Sequence, residues 1–142
     1  MPRVATPACT RWSAPAAAII RTWITPRSHH GFSGFAGRTG YIEGVAVRAD
    51  RRRQGHGALL MAALERVVRS AYQLGALGAS PEGALLYASR GWQLWRGPSS
   101  AMTPDGIRPT PGSNGNIYVL PVSAPLDVSG ELTCDWRPAS LW

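Results

Sequence analysis

Apolar positions recur with regular periods after Gly40 and without any period before it. Between Met1 and Gly40, Pro, Ser, Gly and Arg interrupt every run at a spacing of 2 or 3.6, and no element is predicted there. Tyr41-Ile42-Glu43-Gly44-Val45-Ala46-Val47 predicts a strand: Ile42, Val45 and Val47 supply β-branched bulk, and Gly44 marks a bulge or a close backbone approach. A charged, glycine-containing loop from Arg48 to Gly57 opens directly into an amphipathic helix. Its apolar face is read from Leu60, Ala63, Leu64, Val67, Val68 and Ala71, with Glu65, Arg66 and Arg69 on the other side and the stripe packed on a sheet. Leu74-Gly75-Ala76-Leu77 predicts a short buried strand. Ser80, Pro81 and Glu82 then supply a capping hydroxyl, a proline at the first helical position and an acid in the first turn of a second helix, which stops at Gly91. Trp92 to Trp95 resumes as strand, a Pro/Gly/Ser-rich connection runs from Gly97 to Asn114, and Ile117 to Val122 is the last strong strand. Strand, helix, strand, helix, strand, strand is an α/β order, and it contains no internal repeat.

A chain of 142 residues with 44% hydrophobic composition supports one domain with a core of its own. The longest early apolar stretch, Ala16 to Ile20, is far too short for a membrane-spanning helix. The net charge of +7 belongs mostly to the first forty residues, which hold five Arg and no acid. Arginine supplies all the basic side chains and Lys none, which speaks against a selected phosphate-binding surface, so nucleic acid is not the expected partner. The cluster from Arg48 to Arg53 still keeps a small basic nucleic-acid-binding protein as a competing class. Cys9 and Cys134 make neither a disulfide framework nor a paired zinc site, and the adjacent His29 and His30 have no spaced partner, so no metal is expected. The N-terminus lacks the apolar stretch of a signal peptide, and a reduced, cytoplasmic chain is the expectation.

Arg52-Arg53-Gln54-Gly55-His56-Gly57, set between a strand and a helix, has a physical meaning. Glycines let backbone amides approach an anion, and a helix N-terminus adds partial positive charge, so the loop suits a pyrophosphate. It is neither a Walker loop nor the Rossmann fingerprint. A solvated turn with several arginines fits the local pattern equally well.

Arg52-x-x-Gly55-x-Gly57 resembles the acetyl-CoA signature of the GNAT-superfamily N-acetyltransferases. The surrounding blocks GYIEGVAVRADRR, SAYQLGALGAS, LLYASRGW and ELTCDWR with Trp142 are similar to one branch of that superfamily, the aminoglycoside 2′-N-acetyltransferases. The resemblance covers Gly40 to Trp142. It implies the GNAT acyl-CoA N-acyltransferase fold, incomplete at the N-terminus, with acetyl-CoA as cosubstrate and an aminoglycoside or other amine as acceptor. It implies a strand that splays from its neighbour and presents backbone N–H groups, with Val45 at the thioester carbonyl and Val47 along the pantetheine arm. Arg52, Gly55 and Gly57 match the pyrophosphate contacts. Glu43 matches the general base, acting through water, Tyr87 the acid that protonates the thiolate, and Trp142 a substrate contact. Gly78, Ser113 and Ser140 stand where the family has acidic or polar substrate contacts.

The chemistry is consistent with these roles. An ammonium must lose a proton before it can attack a thioester, and a carboxylate on a partly buried strand has its pKa raised toward neutrality. A nearby phenol helps a thiolate leave, and the amide at Val45 is suited to an oxyanion. Each residue alone also fits a plainer role: Glu43 as a solubilising edge-strand charge, Tyr87 as a core tyrosine, Trp142 as a frayed apolar end.

A complete domain of this family needs more chain ahead of Tyr41 than is present, and Met1 to Thr39 does not resemble it. The expectation is therefore an atypical, poorly ordered segment over residues 1–39 and a GNAT-like acetyl-CoA-binding and catalytic region over 40–142, arising from truncation or a frameshift. An exposed sheet edge left in this way invites dimer contacts. The function expected is acetyl transfer to an aminoglycoside 2′-amine, impaired by the truncation. A degenerate fragment that binds coenzyme A without turnover is the alternative.

Overall fold

The computed structural model describes residues 16–25, 37–124, 126–135 and 142. Cys9, His29, His30 and Ser140 lie outside them. The main sheet is built from β1 (Ala16–Thr25), β2 (Gly37–Val47), β3 (Leu74–Gly78), β7 (Ile117–Pro121) and β4 (Gln93–Leu94), in the order β1-β2-β3-β7-β4. Within this sheet only β2 and β3 run parallel, and they are joined through helix α1 (His56–Ala71), which is the crossover a parallel pair requires. Helix α2 (Pro81–Ser89) follows β3. A second sheet of β5 (Ser99–Thr103), β6 (Gly106–Pro109) and β8 (Leu132–Cys134) has the order β6-β5-β8.

Alternation along the central strands sends neighbouring side chains into two different cores. Tyr41, Leu74, Ala76, Ile117 and Val119 pack with Trp95 and with Ala101, Leu132 and Cys134 of the second sheet. Ile42, Leu77 and Leu120 face the other way and pack with Trp92 and with Met61, Leu64 and Val68 of α1. Met61 and Val68 are wholly buried, each contributing about 1.5–3 kcal/mol by the area removed from water. Gly75 permits the close approach of this layer: a Cβ there would lie 2.9 Å from Val68 Cγ1 and 3.0 Å from Trp92 Cη2.

The strand at residues 41–47, both helices and the strands at 74–77 and 117–122 stand close to where the sequence places them. The start of α2 is built as read, with Ser80 Oγ accepting from the Gly83 N–H at 3.3 Å, and Gly91 after it takes φ +85°. Three differences have physical causes. The segment from residue 16 forms β1, whose ten residues pair antiparallel with every residue of β2 except Glu43; a partner distant in sequence supplies what local period does not reveal. The polar connection at 97–114 contains β5 and β6, because its hydroxyls are satisfied inside the second sheet. Ser99 Oγ donates to the Thr110 carbonyl at 2.9 Å, and Ser100 Oγ lies 2.8 Å from Thr133 Oγ1 of β8. The third difference is in α1, whose buried residues are Met61, Leu64, Glu65 and Val68, while Ala63, Val67 and Ala71 are exposed. Glu65 is thus on the inner side, and its charge is accommodated there by paired donors.

Candidate functional site

Strand β2 changes character halfway along. Its parallel ladder with β3 runs from Thr39↔Leu74 to Ile42↔Leu77 and stops, although β2 continues to Val47. At the same point the pairing with β1 passes from Ile20↔Ile42 to Ile19↔Gly44, leaving Glu43 as the extra residue of a β-bulge beside Gly44. The bulge anticipated at Gly44 is therefore present, and the last five residues of β2 have left β3 behind. Val45 packs against the α1-side core, and Val47 Cγ2 lies 4.0 Å from where a Cβ on Gly57 would stand.

The loop after β2 runs into the N-terminus of α1. Arg48 donates to both carboxylate oxygens of Asp50, at 3.1 Å and 2.8 Å, and the Gln54 amide donates to the Asp50 carbonyl at 3.3 Å. Arg53 has φ 59°, a left-handed conformation costly for a side-chain-bearing residue. Gly55 occupies the N-cap position with φ +82°, where it offers no side chain, and the first turn of α1 has no acid. The amides of that turn, which have no partner inside the helix, are left to an external acceptor beside the exposed Arg51, Arg52 and Arg53. This arrangement fits a pyrophosphate. Leu86 Cδ2 of α2 would lie 3.5 Å from a Gly57 Cβ, so α2 reaches the same end of α1.

On the opposite face of β2, a cavity of about 330 Å³ is lined by Tyr41, Glu43, Gly78, Ala79, Ser80, Gly112, Ser113, Asn116, Ile117 and Trp142. Glu43 is exposed rather than partly buried, so its role cannot lean on desolvation. Trp142 is held in place: its indole N–H donates to Thr110 Oγ1 at 3.0 Å, and its ring meets Tyr41 edge-on at a centroid distance of 6.4 Å. Gly78 and Ser113 both line the cavity. Sequence reasoning missed Tyr41 and Asn116, for which an isolated tyrosine and a turn asparagine give no signal.

Tyr87 lies elsewhere, on α2 against the α1-side core. Its ring is 6.4 Å from that of Trp92 and 6.3 Å from that of Tyr118, and Gly83 makes room for it, since a Cβ there would stand 2.9 Å from the ring. Burial pushes the Tyr87 phenol above its ordinary range, so it keeps its proton at neutral pH. The structure thus brings Glu43 and Trp142 to one cavity. It gathers Val45, Val47, Gly55 and Gly57 along the end of β2 and the start of α1, with Tyr87 on the helix that packs there.

Residues 16–85, from β1 into α2, match the sequence model of the acetyltransferase (GNAT) family. The chain is also 49% identical over 109 residues to an aminoglycoside 2′-N-acetyltransferase of Mycolicibacterium fortuitum, an alignment covering 74% of this chain and 56% of the relative. The chain has the GNAT acetyltransferase fold and is similar to that family in sequence over these residues. Its GNAT fold accounts for the splayed β2, the glycine-bearing turn into α1 and the parallel β2–β3 crossover. The family match begins at the first residue of β1, so residues 16–39, which the sequence reading set apart from the family, fall within it and that expectation is corrected.

Proposed function

We propose that the chain is an N-acetyltransferase that uses acetyl-CoA to acetylate an amine of an aminoglycoside, at the 2′ position. The observation carrying this reading is the end of the β2–β3 ladder at Ile42↔Leu77, immediately before Glu43 and on the path to Gly55 and Gly57. A strand freed from one neighbour offers backbone hydrogen-bonding groups to a ligand lying alongside it. The 49% identity to an aminoglycoside 2′-N-acetyltransferase supports the acceptor class.

Bound acetyl-CoA supplies an acetyl thioester. Arg52 and the amides at Gly55 and Gly57 hold its pyrophosphate, and Val45 and Val47 hold the acyl arm beside β2. Glu43, at the cavity wall, takes a proton from the amine through a water, which frees the nitrogen lone pair. The N–C bond forms first, and the Val45 N–H stabilises the negative charge this leaves on the carbonyl oxygen; as that oxyanion collapses the C–S bond breaks, and the nitrogen gives its second proton through the same water to Glu43, which has released the first to solvent. Tyr87 gives its proton to the departing sulfur and regains one from solvent. Trp142 and Ser113 hold the acceptor in the cavity. On this reading the chain is cytoplasmic, uses no metal and takes no nucleic-acid partner.

Calorimetry with coenzyme A, followed by a thiol-release assay with acetyl-CoA and an aminoglycoside, tests the reading. Heat with coenzyme A and drug-dependent thiol release are expected. Heat without release would reduce the chain to a coenzyme A-binding fragment, and salt-sensitive DNA binding without heat from coenzyme A would replace the reading altogether.

A further inference from the structure

Glu65 carries a buried charge that the proposed chemistry does not use. It lies on the inner side of α1, with its side chain 11% exposed. Its Oε1 accepts from Arg90 Nε at 2.8 Å and from the Trp92 indole N–H at 3.0 Å, and its Oε2 accepts from the Arg90 guanidinium at 2.7 Å. Both donors come from the three residues that follow α2, and both lead back to Tyr87. The Arg90 and Trp92 backbone N–H groups donate to the Tyr87 carbonyl, at 3.0 Å and 3.1 Å, and the Trp92 ring packs against the Tyr87 ring. One carboxylate therefore holds the two residues that hold both the backbone and the ring of Tyr87.

We infer that Glu65 is a positioning residue for acetyl transfer, fixing the Tyr87 phenol relative to the anion-binding end of α1 through a bidentate bridge to Arg90 and a hydrogen bond from Trp92. This rests on the proposed role of Tyr87. The geometry asks for it because Gly57 and Glu65 belong to one rigid helix, two turns apart. A clamp at Glu65 converts the position of α1 into the position of α2. A hydrophobic residue would fill the same space, but it would leave α2 free to slide, whereas a two-pronged bridge fixes angle as well as distance. A proton donor displaced by about 1 Å from its acceptor loses up to 10²-fold in rate.

The test compares wild type, Glu65→Gln, Tyr87→Phe and the double variant. In Glu65→Gln, kcat should fall about 10-fold or more while coenzyme A affinity and the KM for acetyl-CoA stay within about twofold. The double variant should be no slower than Tyr87→Phe, because Glu65 acts only through that phenol. Losses that multiply, or coenzyme A affinity that falls in step with kcat, would overturn the inference. A second readout needs no turnover: the phenol ionisation that disappears in Tyr87→Phe, followed by ultraviolet absorbance against pH, should move toward the ordinary tyrosine range in Glu65→Gln as the ring loosens. An unchanged titration would also overturn it. Absent coenzyme A binding in wild type would instead defeat the acetyltransferase reading, and the titration would still decide whether Glu65 holds Tyr87. Should Glu65→Gln fail to fold, Arg90→Lys keeps the charge, removes the fork and is read in the same two ways.

Discussion

Glu43 and Trp142 line one cavity, brought together from the bulge of β2 and from beyond β8. A carboxylate and an aromatic ring in a polar cleft suit a sugar that carries ammonium groups. The cavity they line is on the face of β2 away from α1.

Replacing Glu43 with Gln should leave coenzyme A binding unaltered and lower turnover about 10²-fold, since an amide cannot accept the amine proton. Steady-state rates from pH 6 to 9 check it, and superimposable profiles for the two proteins would return Glu43 to a surface charge.

Gly57→Asp places a carboxylate beside the amides that open α1, where an anion is expected. Coenzyme A affinity should drop by about 10-fold or more, through charge repulsion and loss of the open approach. Folding should be little affected, because a Cβ at this position meets Leu86 and Val47 only at ordinary contact distance. Calorimetry that returns wild-type affinity would remove this loop from the site.

Tyr87→Phe keeps the ring between Trp92 and Tyr118 and removes only the hydroxyl. Thermal stability and coenzyme A binding should survive, while kcat falls about 10²-fold and KM changes little, the pattern of a lost general acid. Full kcat in this variant would leave Tyr87 as a packing residue.

The Glu65 clamp has a signature in acid. Burial opposes its ionisation, but hydrogen bonds from Arg90 and Trp92 and the charges of Arg90 and Arg69 outweigh that and hold the carboxyl below its ordinary range. A folded-state pKa below the unfolded one means stability fully present above about pH 4.3 and lost as pH falls through the lower folded value. Glu65→Gln should cost about 2 kcal/mol at neutral pH and make the acid limb shallower. Urea midpoints between pH 3 and 7 measure both effects, and parallel curves for the two proteins would contradict the assignment.

The strand before the loop was legible because its chemistry is local, with Gly44 signalling its bulge, whereas the spacing of Arg52, Gly55 and Gly57 fits a solvated turn as well as an anion site until the surrounding blocks are weighed with it. Both helices followed from capping and period. Glu65 was misplaced because a charged residue at helical spacing reads as solvent-facing until the donors opposite it are known, and Arg90 and Trp92 lie on another element. The second sheet was hidden for a related reason. Ser99, Ser100 and Thr133 look like loop residues until their hydroxyls find one another. β1 depends on a partner strand that no nearby period encodes.

The bulge at Glu43 reverses the phase of β2. Ile42 and Val45 are three residues apart, an odd interval that should send them to opposite sides, yet both meet the α1 layer, while Tyr41 and Glu43 face the cavity. One surplus residue thus makes a single strand serve two compartments. Removing that residue would leave plain alternation from Ile42 through Val45 to Val47, with both valines still on the α1 side and every β1 partner unchanged, so the deletion takes away the carboxylate and not the phase. Position 43 therefore decides what the cavity presents and not where Val45 and Val47 point, and a one-codon loss there should leave coenzyme A binding intact, as Glu43→Gln does.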